Sequence, residues 1–383
     1  MKIYKVGGAV RDELLGLEPT DNDWVVVGST PKQMLSMGYK QVGKDFPVFL
    51  HPDTKEEYAL ARKERSTGPG HTAFNFSYSP NVTLEEDLSR RDITINAIAK
   101  DMTDGSFIDP YNGRDDIKNK IIKHVSESFI EDPLRIFRVA RFYTKFDSKF
   151  EIDRVLESMM VDMFPDIIHL SGERIWKETE KALNYKNPQE YFYTLIRLCL
   201  RSGVFSKNLI NKYSVFDGGF FGWGHYDEYH MIYSEENFYG EKNPCLTSPE
   251  AWWSIFSFLV NDLDALNKRL RVPKRFQKMS SLSYGFRYNY FKKYKDISRE
   301  DKIKILYESL ERLKPSKNLQ YAIDVGFLAA HNMSREYDMH SLERLITKYA
   351  EIIPSEDEKK LNGSEIEKIL KEKKLRLIEE YTV

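Results

Sequence analysis

Two acids stand one residue apart at the start of an apolar run, in the stretch TDNDWVVVG that covers residues 20 to 28. The run predicts a strand, and because side chains alternate along a strand, Asp21 and Asp23 share one face. Asp-Asn-Asp is also common turn chemistry that faces water, and so short a match often occurs by chance. The alternative is a site for a divalent cation such as Mg²⁺, which prefers carboxylate oxygens and cancels the repulsion between them.

A glycine pair precedes the two acids, in VGGAVRDELLG. The pattern predicts a strand that ends at Gly7 and Gly8 and a helix that begins there. Glycine amides can approach an anion closely, the start of a helix adds partial positive charge, and Arg11 adds a full charge. Together with Asp21 and Asp23, the pattern indicates a phosphate-binding turn beside a metal site, which is the arrangement that phosphoryl transfer needs.

A third polar segment, SRRDITINAIA, follows a helix start at Thr83, where Glu86 completes the reciprocal capping pattern. If the helix continues, Asp92 and Asn96 lie one turn apart on the same face, and Arg91 can reach a phosphate or a ribose. Taken alone, the segment is more typical of a salt-bridged turn at the surface.

Three arginines are spaced by three in EDPLRIFRVARF, and they are Arg135, Arg138 and Arg141. They lie near one face of a predicted helix, and no acid opposes them within the run, so an anion such as a triphosphate is a suitable partner. Asp132 precedes Pro133, which is the pattern of a helix N-cap followed by proline at the first position.

Asp132 and Arg135 also suit the reading of a nucleotide base. A carboxylate accepts a hydrogen bond and a guanidinium donates one, while cytosine and adenine each present an exocyclic amine beside a ring acceptor. Guanine and uracil present the reverse order, so this pair could accept C and A and reject G and U. The cap and the base-reading role can coexist, because a carboxylate has two oxygens.

Composition bounds the class of protein. The chain has 383 residues, which is enough for two or more domains, and its formal net charge of -1 argues against a general basic coating. Cys199 and Cys245 are far apart and indicate a reducing compartment rather than a disulfide framework. The start of the chain is charged and no window of eighteen residues is apolar, so we expect a cytoplasmic protein without a membrane span.

A basic and aromatic stretch covers residues 268 to 295, with ten Lys and Arg and no acid. Such a mixture suits RNA, because basic groups neutralise phosphates and aromatic rings stack on bases. The alternative is a solvated helical face with aromatic residues in the core. The candidate RNA-binding residues are Lys274, Arg275, Lys278, Arg287, Lys292 and Lys293.

The predicted fold class is α+β, with a small mixed sheet in an N-terminal head and only helices after it. We expect a head over residues 1–125, a helical neck over 126–213 and a helical body and tail over 214–383. The Gly, Ser, Thr and Pro-rich segment 64–80 predicts a long functional loop. Residues 214–248 show no clear period and receive no assignment.

In this order the motifs resemble those of bacterial class II CCA-adding enzymes, the tRNA nucleotidyltransferases of the DNA polymerase beta superfamily. The resemblance is dense up to about residue 200. It is carried by GGAVRD, DNDWVVVGSTP, VGKDFPVFLHP, EEYALARKER, TLEEDLSRRDITINA, DPYNG, EDPLRIFRVARF and ERIWKE.

The resemblance implies a polymerase-beta-like head and a set of site residues. Asp21 and Asp23 would carry Mg²⁺, and by analogy Glu57 would be a third acid near the metals. The implied nucleotide-binding residues are Gly8, Arg11, Arg91, Asp132, Arg135, Arg138 and Arg141. Asp132 and Arg135 among them would read the base, and the segment 64–80 would help the switch from C to A.

The implied activity is two-metal, template-independent addition of CCA to the 3′ end of tRNA, with CTP and ATP as substrates. A bacterial-type poly(A) polymerase, an enzyme that adds only CC or A, and an inactive RNA-binding relative are the alternatives.

Past about residue 205 the resemblance thins, although RLRVPKRF and LNGSEIEKILKEKKLRLIEEY still resemble the longer enzymes of the family. Those enzymes usually carry a His-Asp metal phosphohydrolase motif. This sequence has no His-Asp pair, and His225, His230, His331 and His340 lack the pattern, so we expect that activity to be absent.

Overall fold

The structure is a computed structural model that describes residues 1–19, 22–42, 48–66, 74–203, 248–257, 263–286, 298–315, 317–330 and 339–381. The chain divides into two units, residues 1–209 and residues 210–383. Several residues singled out above lie outside the described ranges, namely Asp21, His225, His230, Cys245, Arg287, Lys292, Lys293 and His331. Much of the segment 64–80 and nearly all of 214–248 lie outside them too.

A mixed sheet forms the centre of the first unit. The strands of this unit are β1 (Lys2–Val6), β2 (Asp23–Val27), β3 (Lys40–Val42), β4 (Val48–Leu50), β5 (Glu57–Leu60), β6 (Arg62–Ser66), β7 (Phe74–Tyr78), β8 (Ala99–Asp101), β9 (Phe107–Ile108), β10 (Ile121–Ile122) and β11 (Glu151–Ile152). The sheet order within the described residues is β3-β4-β5-β2-β1-β8-β9. β2 and β5 run parallel, whereas β1 is antiparallel to both β2 and β8. β6 and β7 form a separate antiparallel hairpin.

The helices of the first unit are α1 (Gly8–Leu14), α2 (Pro31–Ser36), α3 (Leu84–Ser89), α4 (Gly113–Asn119), α5 (Leu134–Lys145), α6 (Arg154–Met163), α7 (Gly172–Leu183) and α8 (Gln189–Arg201). Alternation along the strands gives the sheet two apolar faces. Val6 and Val25 pack with Leu88 of α3 on one face, and Val26 packs with Met34 of α2 on the other. The end of β1 and the start of β2, where Val6 pairs with Asp23, lie next to each other in this sheet.

The predicted helix start at Thr83 is confirmed, since Thr83 and Glu86 cap each other's backbone amides. The expected continuation of this helix through Asn96 is wrong. α3 ends at Ser89, Ile93 is extended and bridges His124, and only a short 3-10 turn spans Thr94–Asn96. The β-branched run Ile-Thr-Ile has a low preference for the α-helix, and Ile93 instead pairs with the segment at His124.

The regular elements in the described part of the second unit are all helices, as the sequence predicted. Its helices are α9 (Pro249–Ser257), α10 (Leu263–Leu270), α11 (Lys274–Phe286), α12 (Arg299–Leu313), α13 (Leu319–Ala330), α14 (Met339–Glu351) and α15 (Gly363–Tyr381). Leu310, Ala322, Ile346 and Ile378 belong to one buried cluster from four of these helices. A Cβ at Gly326 would lie 2.5 Å from Ile346 Cδ1, so any larger residue where α13 meets α14 would displace the end of that side chain. Across the described part of the chain, no helix is both long and apolar enough to cross a membrane.

Candidate functional site

The end of β1 brings the glycine turn, Asp23 and Arg91 together. Val6 is the partner of Asp23 in the pairing of β1 with β2, so the acid lies beside the turn that follows β1. Gly7 has a φ of +71°, and a Cβ there would lie 2.8 Å from Arg91 Nη1 and 3.5 Å from Asp23 Oδ2. Only glycine tolerates both this backbone and this crowding. One carboxylate and one guanidinium therefore flank the backbone of the Gly7 turn.

Glu57 stands next to Asp23 on the neighbouring strand. The two residues are direct partners in the parallel pairing of β2 with β5, so their side chains project from the same face of the sheet. Both are exposed. Two carboxylates arranged in this way fit a hard divalent cation. In the ranges that the structure describes, no three acidic, histidine or cysteine side chains converge on one point, and Asp21 lies outside those ranges.

Arg11 is buried, with 3% of its surface exposed. Its Nη1 donates to Asn96 Oδ1 at 2.6 Å, and its Nη2 donates to Asp12 Oδ1 at 2.7 Å. Lys145 Nζ of α5 donates to Asp12 Oδ2 at 2.8 Å, and the Arg11 guanidinium carbon lies 5.0 Å from the centre of the Phe142 ring. Arg11 is thus held by contacts from α1, the Thr94–Asn96 turn and α5.

Asp92 continues this set of contacts toward α5. Its Oδ1 accepts from Asn96 Nδ2 at 3.0 Å, and its Oδ2 accepts from Arg138 Nε at 2.7 Å. Burial opposes the charge of Asp92, but the charge and hydrogen bond of Arg138 and the amide of Asn96 hold the pKa of Asp92 well below its usual range. Asp92 in turn raises the pKa of Arg138. Both groups are therefore charged at neutral pH.

Glu178 of α7 completes the set. Its Oε2 accepts from Arg141 Nε at 2.5 Å, and its Oε1 lies 3.7 Å from Arg138 Nη1. We call the residues Lys145, Asp12, Arg11, Asn96, Asp92, Arg138, Glu178 and Arg141 the charge network. Acids from other segments thus meet the arginines that lack an acid within their own run. Arg138 keeps 34% of its side chain exposed, so it is open to a ligand.

Asp92 predicts an acid dependence of stability. Because folding lowers the pKa of Asp92, its contribution is fully present above the unfolded-state pKa of about 4 and is lost as the pH falls below that value. Asp92→Asn should therefore lose less stability than the wild type between about pH 6 and about pH 3. Urea unfolding at both pH values measures this, with the exposed Asp115→Asn as control. Equal losses in Asp92→Asn and the wild type would contradict it.

Asp132 and Arg135 lie at the start of α5 and are each engaged. Asp132 Oδ1 accepts from the Leu134 amide at 3.1 Å, which is cap geometry, and its Oδ2 accepts from Arg174 Nη2 at 2.8 Å. Arg135 donates to the carbonyl oxygens of Ser128 at 2.7 Å and Arg90 at 2.6 Å. Arg135 thus joins α5 to the backbone at the end of α3 and to the segment that precedes α5.

Sequence reasoning missed Arg174 and Glu178, which reach Asp132 and the arginines of α5 from α7. Both stand in ERIWKE, which was used only as part of the resemblance. Their spacing of four on one helix was the available signal, because residues four apart share a face.

In the second unit, Lys274, Arg275 and Lys278 lie exposed on α11. Arg275 Nε is 3.1 Å from Glu250 Oε1, and Lys278 Nζ is 5.8 Å from the centre of the Tyr321 ring. These side chains form a basic face of one helix.

Two known families match segments of the first unit. Residues 3–123 match the family described as "Poly A polymerase head domain". Residues 149–207 match "Probable RNA and SrmB- binding site of polymerase A". The two matches together cover the sheet and most of the helices of the first unit.

The chain is also similar to curated proteins and solved structures. It is 55% identical over 210 residues to the "Multifunctional CCA protein" of Haemophilus influenzae (strain PittGG), which is 54% of this chain and 50% of the relative. The chain spans about half the length of the curated relatives it matches. The crystal structure of the Bacillus stearothermophilus CCA-adding enzyme in complex with CTP has 24% identity and a TM-score of 0.60, over 100% of this chain and 88% of that one. The Thermotoga maritima CCA-adding enzyme complexed with tRNA has 22% identity and a TM-score of 0.60, over 100% and 87%.

The resemblance to bacterial CCA-adding enzymes is therefore confirmed, and so is the predicted fold. A polymerase-beta-like head with a mixed sheet precedes a helical region, as in those structures.

Proposed function

We propose that this chain is a template-independent nucleotidyltransferase that adds CCA to the 3′ end of tRNA from CTP and ATP and releases pyrophosphate. The observation that carries the proposal is the meeting of Asp23, the Gly7 turn and Arg91 at the end of β1. The chain is 55% identical over 210 residues to a protein named for CCA. Its fold is shared with enzymes solved with CTP and with tRNA.

We further propose that Asp23 holds Mg²⁺ together with Asp21, and that Glu57 is the third acid. The fit rests on Asp23 and Glu57, which are exposed partners on adjacent strands. Bound metal at these carboxylates would supply charge neutralisation at the α-phosphate and a more acidic 3′-hydroxyl, as in two-metal sites.

The protein groups of the site position the nucleotide. Gly8 offers a backbone amide at the start of α1, whereas the Gly7 amide donates to the Ile98 carbonyl at 3.4 Å. Arg91 lies beside the Gly7 turn, so a phosphate placed there meets positive charge. Arg138 is partly exposed and is fixed by Asp92 and Glu178, which makes it a preorganised cation for the nucleotide. Arg11 and Arg141 are buried, and they support this surface from behind. Positioning and fixed charge of this kind are the main contributions to catalysis of phosphoryl transfer.

One assay tests the proposed activity. The protein is incubated with tRNA that lacks its 3′ end, with Mg²⁺ and with each labelled nucleotide, and product lengths are read on a gel. We expect addition that stops after CCA. A long A tail would instead indicate a poly(A) polymerase, addition of only CC or only A a partial enzyme, and no incorporation an RNA-binding relative.

We propose that Asp132 reads the base as well as capping α5. Asp132→Ala should relax discrimination among the four nucleotides, while loss of a cap alone costs about 1 kcal/mol of stability. Asp132→Ser is the matched control, because serine can still cap α5 but has no carboxylate for a base amine. Incorporation of each nucleotide is measured for both variants. Relaxed selection in both supports base reading, whereas normal selection in Asp132→Ser leaves the cap as the role of Asp132.

We also propose that the basic face of α11 contacts tRNA, together with Arg287, Lys292 and Lys293. Lys274→Ala combined with Lys278→Ala should weaken tRNA affinity and reduce the slope of log affinity against log salt by about 0.7 to 0.9 for each lost phosphate contact. Filter binding at several salt concentrations measures the slope. Lys371→Ala with Lys373→Ala, on α15, is the control pair. Unchanged affinity and slope would show that this part of α11 is a solvated face that does not contact tRNA.

The remaining expectations are part of the same proposal. Functional boundaries near residues 125 and 213 would separate the head, the neck and the body. Since tRNA is the proposed substrate, we expect the protein to act in the cytoplasm. Without a His-Asp pair in the sequence, we expect no metal-dependent hydrolysis of 2′,3′-cyclic nucleotides, and hydrolysis by the purified protein would contradict this.

A further inference from the structure

Asp87, in the last turn of α3, is a carboxylate that is only 1% exposed. Its Oδ1 accepts from the backbone amide of Arg62 at 3.3 Å and from Arg90 Nη2 at 3.2 Å. Its Oδ2 lies 3.6 Å from Arg91 Nη2. A buried carboxylate is tolerated only where donors and opposite charges compensate it. Here they come from two separate places, the start of β6 and the arginine pair after α3.

The first contact lies where the chain leaves the central sheet. The Ala61 amide still donates to the Val26 carbonyl at 2.9 Å, as a continuation of the pairing of β5 with β2. The next amide, that of Arg62, donates to Asp87 instead. Arg62 is also the first residue of the β6–β7 hairpin, where it pairs with Tyr78. Asp87 therefore fastens the base of this hairpin to α3.

The second contact orients Arg91. Its Nη2 lies 3.6 Å from Asp87 Oδ2. Its Nη1 lies 2.8 Å from the position that a Cβ of Gly7 would take and donates to the Asn96 carbonyl oxygen at 3.3 Å. With one amino group directed to Asp87, the other is directed to the glycine turn beside Asp23. The charge of Asp87 thus sets which way the Arg91 guanidinium presents itself at the candidate site.

We propose that Asp87 is a positioning residue that couples the base of the β6–β7 hairpin to the Arg91 guanidinium. One buried carboxylate holds both, so a displacement of the hairpin base changes how Arg91 meets a nucleotide, and the reverse. The inference rests on the proposed nucleotidyl transfer and extends it to a residue outside the charge network.

Two variants separate the two arms of this coupling. In Asp87→Asn the amide oxygen stays toward the side with two donors, Arg62 and Arg90, and the amide nitrogen then faces Arg91. Asp87→Ala removes both contacts. We expect Asp87→Asn to weaken CTP binding about tenfold, since Arg91 loses the charge of a buried carboxylate as its ion-pair partner, and to leave exchange at the hairpin base unchanged. Asp87→Ala should weaken binding and accelerate exchange.

The readouts need no turnover. CTP affinity is measured by titration without tRNA, and hydrogen–deuterium exchange is followed on peptides covering residues 57–66. Glu85→Gln, which removes an exposed acid from the same helix, is the control and should change neither. In an Arg91→Ala background, Asp87→Asn should weaken binding no further, because the partner it orients is gone.

Three results would overturn the inference: normal CTP affinity in Asp87→Asn, faster exchange in that variant equal to the exchange in Asp87→Ala, or additive losses with Arg91→Ala. Since the Asn variant has nearly the same shape as the wild type, it keeps the test valid if the Ala variant fails to fold. A wild-type protein that binds CTP but adds nothing to tRNA would contradict the proposed function and leave the Asp87 test readable.

Discussion

Asp23→Ala is expected to reduce nucleotide addition about a thousandfold, because metal-assisted charge stabilisation supplies several kcal/mol and each 1.36 kcal/mol is a factor of ten. Asp23 Oδ2 lies beside the Gly7 turn and the residue is in register with Glu57, so the change removes one of two paired carboxylates at this end of the sheet. Its side chain is exposed, so the fold should tolerate the change. We expect the same loss in Asp21→Ala.

The measurement is single-turnover incorporation of CTP into tRNA that lacks its 3′ end, with tRNA affinity determined in parallel. Affinity should stay close to that of the wild type, since the proposed tRNA contacts lie elsewhere. Glu18→Ala is the matched control, because it removes an exposed acid from the same head. Near-normal CTP incorporation by Asp23→Ala would refute the metal assignment.

Glu178→Ala is expected to destabilise the protein by about 3 kcal/mol, the lower end of the cost of breaking a buried ion pair. Glu178 is buried on α7 and is the acid that meets Arg141 at 2.5 Å and Arg138 at 3.7 Å. Its removal leaves the guanidinium of Arg141 buried without this acid. The partial exposure of Arg138 keeps the cost below the upper end of the range, since water can solvate that group.

Urea unfolding measures this loss, and Glu173→Ala on the same helix is the control. Glu173 is 53% exposed and its ion pair with Lys177 is 4.0 Å long, so its replacement should cost less than about 1 kcal/mol. Glu178→Ala should also weaken CTP binding, because Arg138 loses one of its two acids. An unfolding midpoint equal to that of the control would show that the charge network contributes little stability.

Local patterns predicted the elements that carry the site. The strand at WVVVG, the helix start at Thr83 and the helix after Pro133 are all present, because periodicity and capping are properties of neighbouring residues. The helix expected through Asn96 is absent for a reason that the same rules contain. Its β-branched residues have a low preference for the α-helix, and Ile93 pairs with the segment at His124 instead.

The partners of the charged side chains could not be predicted in the same way. The sequence shows that Arg135, Arg138 and Arg141 lack an acid in their own run, which left an external anion as a suitable partner. The structure supplies Asp92 and Glu178 for two of them and backbone carbonyls for the third. Asp92 is 46 residues from Arg138 along the chain, and no local periodicity encodes a contact of that range.

The amino-acid sequence alone thus determined the order of the elements and the chemistry available to them, including the single-residue spacing of Asp21 and Asp23 that alternation along a strand requires. Tertiary structure alone decided that Glu57 stands beside Asp23 and that Arg91 lies over the Gly7 turn. It also decided that Asp87 joins that arginine to a hairpin. The physical reason is that backbone preference acts over a few residues, whereas burial and charge pairing act between segments that only the folded chain brings into contact.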